Sequence, residues 1–156
     1  MAYKRIMVGI DDGFPAVSAL ADAIVLASLG QAAVRVISVL SPVPDPIGLG
    51  AGGENLTRAV RLVREKAEAA LARAQDLFVL YGVVGETVHL TDEDVPTAIL
   101  KEACTWKADL LVLGTHSQST WERLVIGSTA TAVLRRTTMP LLIVPARNEN
   151  MKELKR

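Results

Sequence analysis

Residues 108–128 read ADLLVLGTHSQSTWERLVIGS, and this stretch decides the fold. Asp109–Gly114 is an apolar run closed by glycine, which predicts a strand. Gly127-Ser128-Thr129 predicts the start of a helix that runs to Thr137. The connection between them, Thr115 to Ile126, is about twelve residues, where strand-to-helix loops usually take roughly 2–6. A long connection at the carboxyl end of a strand suits a binding loop. The first turn of a helix offers unpaired N–H groups and a partial positive charge, a setting that favours phosphate. Gly127 lets backbone approach a ligand closely, and the Ser128 and Thr129 hydroxyls can donate to an anion or cap the helix. The alternative is that Ser128 is an N-cap and nothing more.

Outward from this unit the chain repeats the alternation. Strands are predicted over Lys4–Asp11, Ala33–Leu40, Val83–Thr91 and Pro140–Pro145. Helices are predicted from about Pro15 to a stop at Gly30, over Glu54–Tyr81 with a stop at Gly82, and over Val95–Lys107. In the first, Val17, Leu20, Ala21 and Ile24 recur at helical spacing. Leu56, Val60, Val63, Ala67, Leu71 and Ala74 form the apolar stripe of the long helix; Ile99, Ala103 and Trp106 point inward from the next. Alternating strands and helices predict an α/β fold: a three-layer open sheet of five parallel strands with right-handed crossovers and helices on both faces. One domain is expected over 1–147, followed by a charged tail over 148–156.

Half of the 156 residues are apolar and only 4% are aromatic, so Ala, Val, Leu and Ile must fill the core. Seventeen basic residues balance seventeen acidic ones, which argues against nucleic acid as a partner. No apolar run approaches the ~18–20 residues of a membrane span, and the first apolar run is too short for a signal peptide. Cys104 is the single cysteine, so no intramolecular disulfide or cysteine metal cluster can form. A cytoplasmic address without membrane association is the expectation.

Ligands of open parallel sheets bind beyond the carboxyl ends of strands, where the strand order reverses. With the order 3-2-1-4-5, strands 1 and 4 meet there. The ends Asp11-Asp12-Gly13 and Gly114-Thr-His-Ser117 then face one crevice.

The segment Gly114-Thr-His-Ser117, nine further residues and Gly127-Ser128, continuing to Pro140-Leu-Leu-Ile-Val-Pro145, closely resembles the universal stress protein family. The opening Ile6-Met-Val-Gly-Ile-Asp11-Asp-Gly13 and the passage into Asp94-Val-Pro-Thr-Ala-Ile99 fit the same family. The spacing Gly-x2-Gly-x9-Gly-Ser is the signature of its ATP-binding branch, with Ser117 standing where the second glycine belongs. The resemblance implies an adenine nucleotide alpha hydrolase-like fold and a homodimeric stress-response protein that binds ATP or AMP. Asp11 and Asp12 beside a triphosphate would repel it unless Mg²⁺ carried in with ATP intervenes or one faces the sugar. It implies that Ile10, Asp11 and Val39 lie at the ribose and adenine. It implies that Gly114, Ser117, Gly127, Ser128 and Thr129 follow the phosphates. His116, inside the same loop, could donate to phosphate or be a solvent-facing loop histidine. The alternative is a dimeric stress-response scaffold of the same fold that binds no nucleotide; Ser117 favours it, because a Cβ is disfavoured by about 1 kcal/mol if that position needs positive φ.

Asp11 and Asp12 could also be the acidic pair of a phosphoacceptor receiver domain, with Asp92 a loose match for its acceptor. That reading fails on strand 5, which ends Val144-Pro-Ala-Arg147 with no lysine. No Ser-His-Asp or Cys-His grouping is evident, and Arg123 is the one cation of the loop, so any ATP turnover would be slow. His89 and Cys104 read as structural residues, and Trp121 as a pin holding the loop to the core. The apolar edge strand Leu141–Val144 invites pairing with a second copy, with an unidentified protein as the downstream partner; the alternative is that the C-terminal tail covers this edge.

Overall fold

The computed structural model of the chain describes residues 2–10, 14–42, 53–115 and 126–145. Its elements are β1 (Arg5–Ile10), α1 (Phe14–Gly30), β2 (Ala33–Leu40), α2 (Gly53–Tyr81) and β3 (Gly85–Thr91). They continue with α3 (Val95–Trp106), β4 (Leu110–Thr115), α4 (Ser128–Arg136) and β5 (Leu141–Pro145). Every strand pair is parallel, as the alternation leads one to expect, and the order is the assumed β3-β2-β1-β4-β5.

The apolar runs follow from helices covering both faces. Ile6, Val8 and Ile10 of β1 join one buried cluster with Ala23 and Ile24 of α1 and Leu71, Ala74 and Phe78 of α2. Met7, from the opposite face, joins a second with Ile37, Leu111 and Leu113 of the sheet, Ile99 and Trp106 of α3 and Val133 of α4. Because successive side chains alternate between faces, a strand buried on both sides reads as continuously apolar. The centre is locked where β1 begins. The Asp109 carboxylate accepts the N–H of Lys4 at 2.8 Å and of Arg5 at 2.9 Å, holding β1 against the start of β4.

At the amino end of the sheet, the Arg35 and Arg5 guanidinium groups lie 4.9 and 5.4 Å from the centre of the Trp106 ring. Arg35 also pairs with Glu86 of β3 at 2.8 Å and with Glu102 of α3. This end of the molecule is therefore tied together by stacked and paired cations.

Three helices stop by one device. Gln31, Gly82 and Lys107 have φ of 51°, 63° and 57°, and the amide after each reaches back to the carbonyl of Ala27, Phe78 or Ala103 at 2.9–3.0 Å. That left-handed turn satisfies carbonyls that the helix end leaves free. The stop of α1 thus falls on Gln31, one residue beyond the glycine expected to provide it.

Three sequence expectations are corrected. The early members of the α2 stripe are not core: Leu56 and Val60 are half-buried and Val63 is exposed. A helix of 29 residues spans about 43 Å, whereas the eight residues of β2 span about 26 Å, so the first turns of α2 outrun the sheet. Cys104 is exposed rather than packed, since the inward positions of α3 are Ala98, Ile99, Ala103 and Trp106. Val17 of α1 is exposed as well.

Candidate functional site

A cavity of about 180 Å³ opens at the carboxyl edge of the sheet, between the central strands where the order reverses. Gly9 and Ile10 of β1, Ile37 and Val39 of β2, and Leu113 and Gly114 of β4 form its floor. Val95 and Ile99 of α3 make an apolar wall, and Gly127, Ser128, Thr129 and Ala130 bring the first turn of α4 to its rim. Among the described lining residues no side chain is charged.

The start of α4 is open to a ligand. Gly127 is the N-cap, with φ −56° and ψ 158°, and no side chain caps the helix. Ser128 is therefore the first helical residue, which removes the reading of it as an N-cap. The Gly127 carbonyl accepts the Thr131 N–H at 2.9 Å, but the amides of the first turn have no partner within the helix. The Ser128 side chain is exposed and Thr129 is half-buried.

The opposite wall is set by Asp94, one residue before Val95. Its carboxylate accepts the Thr97 hydroxyl at 2.6 Å and the Thr97 N–H at 3.2 Å, which caps α3. Arg136 at the end of α4 approaches it at 3.4 Å. The Thr97 hydroxyl foremost, then the Thr97 amide and Arg136, hold the Asp94 carboxyl below the ordinary aspartate range. The two helices that flank the cavity are thus joined at its margin.

Among the described residues, two buried hydroxyls, Ser38 Oγ and Thr115 Oγ1, find no hydrogen-bond partner. Thr115 follows Gly114 on the sheet face of Leu111 and Leu113, beside the cavity lining, whereas Ser38, opposite Ile10, faces the other side of the sheet.

Of the residues singled out from the sequence, Ile10, Val39, Gly114, Gly127, Ser128 and Thr129 line this one cavity. Asp11, His116 and Ser117 lie outside the described residues, as do Asp12, Trp121 and Arg123. Sequence reasoning missed the apolar wall and, above all, Gly9. A glycine inside an otherwise apolar strand marks close approach of a ligand or of other backbone, and that signal was present. Among the described residues, no helix is long and apolar enough to cross a membrane.

Comparison with known proteins places the chain. A universal stress protein of Methanocaldococcus jannaschii is 32% identical over 143 residues, covering 91% of this chain and 82% of its own length. A solved structure from the family in Burkholderia pseudomallei is 29% identical with a TM-score of 0.72, covering 92% of this chain and 97% of that one. A universal stress protein of Archaeoglobus fulgidus, solved in complex with dAMP, is 21% identical with a TM-score of 0.64 and shares the fold over 92% and 99% of the two chains. The profile of the Universal stress protein family matches residues 2–145, so the chain belongs to that family.

Proposed function

We propose that this family member acts in the cytoplasm by binding an adenine nucleotide, AMP or ATP, in the cavity between β1, β4 and α4. The observation that carries the reading is the junction of an apolar wall with an uncapped helix start in one cavity. Val39, Val95 and Ile99 suit the flat faces of a base, and the amides of Ser128 to Ala130 suit an anion. The described wall encloses about 180 Å³, less than the roughly 300 Å³ at which clefts for drug-sized ligands begin. In this reading Asp11, His116 and Ser117 therefore complete the site around ribose and phosphates. Because no described lining side chain is charged, Mg²⁺ would arrive with ATP and be held chiefly by its phosphates. The Archaeoglobus complex is a protein of this fold holding dAMP; at 21% identity the likeness speaks for fold, and the ligand rests on this chain's own cavity.

The same reading includes a homodimer. Among the described residues β5 is an edge strand paired with β4 alone, and Leu141, Leu142 and Ile143 are half-buried. A second copy pairing along Leu141–Val144 would satisfy the open edge and cover those side chains. Nucleotide occupancy and a dimer suit a signal passed to a partner protein better than they suit turnover.

Purified protein is denatured and the released small molecules identified by mass, alongside calorimetric titration with AMP and ATP. Bound adenine nucleotide, or affinity tighter than millimolar, is expected; neither appearing would sink the proposal. Gly127→Val should weaken binding by crowding the helix start, and binding as tight as wild type would count against that cradle. The second reading, a scaffold without nucleotide, draws on Ser117. If the wild type binds nothing and Ser117→Gly gains affinity, serine is the block and the scaffold reading stands.

A further inference from the structure

We infer that Gly9 determines which base the cavity accepts, leaving room for a two-ring purine where a side chain would admit only one ring; this rests on the nucleotide reading above. β1 is flanked by β2 and β4, and Val8 and Ile10 on either side of Gly9 are buried. Gly9 itself is half-buried, because the cavity reaches down to its backbone. A glycine weakens the middle of a strand, so its presence in the central strand calls for a compensating use. In register it stands between Ile37 and Leu113, both of which line the cavity. Bare backbone there makes a flat floor against which a planar ring can lie.

A Cβ at position 9 would stand 2.5 Å from Leu113 Cδ2 and 3.9 Å from Ile99 Cδ1. The first distance is too short, so the Leu113 side chain must turn aside. Both atoms belong to residues of the cavity lining. The new methyl and the displaced leucine tip then compete for the same part of a space of only about 180 Å³. The loss falls on the part of the cavity lined by Leu113 and Ile99; in this inference the second ring of a purine lies there, and a shorter pyrimidine is spared.

The test is calorimetric titration of the full chain with AMP and with UMP. Wild type is expected to prefer AMP by about tenfold or more, the scale on which a pocket reads one or two carbons. Gly9→Ala should cut AMP affinity about tenfold and leave UMP within about twofold, erasing the preference. Adding Leu113→Val to Gly9→Ala removes the Cδ2 that the new methyl meets. The double variant should recover most of the AMP affinity, and it relieves the strain if the single variant folds poorly. Unchanged AMP affinity in Gly9→Ala, equal loss of AMP and UMP, or no recovery in the double variant would each overturn the inference. A wild type that binds neither nucleotide defeats the nucleotide reading itself, and the role of Gly9 falls with it.

Discussion

Asp94 shows how much one carboxylate contributes at the margin of the cavity. Bonds from Thr97 and the charge of Arg136 favour its ionised form, so its folded pKa lies below that of the unfolded chain. The stability it adds is therefore complete above the ordinary aspartate pKa of about 3.9 and disappears as pH falls through the lowered folded value. Asp94→Asn should be less stable than wild type in urea unfolding at neutral pH, and the gap should close from about pH 4 downward. A gap that widens in acid would reject the assignment. At this scale the sequence was readable where a residue's type was unusual for its place. Gly114, Gly127 and Ser128 stood out because they interrupt apolar runs at a strand end and a helix start. Leu113, Val95 and Ile99 could not stand out, since an apolar residue facing a cavity looks like any other core residue. Cys104 misled for the related reason that one position along a helix turns a side chain by about 100° out of the core.

At the scale of elements, type was legible and boundaries less so. β2 ran over Ala33–Leu40 as its apolar run suggests, while α1, α2 and α3 ended on left-handed residues of which only Gly82 announces itself. Gln31 and Lys107 hold the same geometry with a Cβ, which for an L-residue costs roughly 1 kcal/mol. Tertiary demand, the need to turn the chain into β2 and β4, overrides their preference. Lys107→Gly should accordingly stabilise the protein by up to about 1 kcal/mol, and Gly82→Ala should destabilise it by about 1–2 kcal/mol. Chemical denaturation measures both, and a destabilised Lys107→Gly would show that the lysine side chain matters more than its backbone strain. The long α2 misled in another way: its periodicity is helical throughout, but periodicity does not reveal where the sheet beneath it ends.

For the molecule as a whole, the alternation made five parallel strands with right-handed crossovers legible, but the order 3-2-1-4-5 was an assumption, since 2-1-3-4-5 obeys the same rules. The outer edge of β5 gives the assembly test. Ile143→Glu places a charge on the half-buried strand proposed to pair with a second copy, and light scattering should then report monomers. An unchanged mass would place the contact elsewhere. The central position of β1 also bears on how the chain is made. Lys4 and Asp109, which hold β1 to β4, stand 105 residues apart. At about 5–20 residues per second, a ribosome needs roughly 5–20 s to deliver the strand that closes the second edge of the first one. During that interval Ile6-Met-Val8 can pair on one side only. A nascent chain is therefore most exposed to misassociation early in its synthesis, and order of delivery, rather than total apolar content, sets how long a chaperone must guard it.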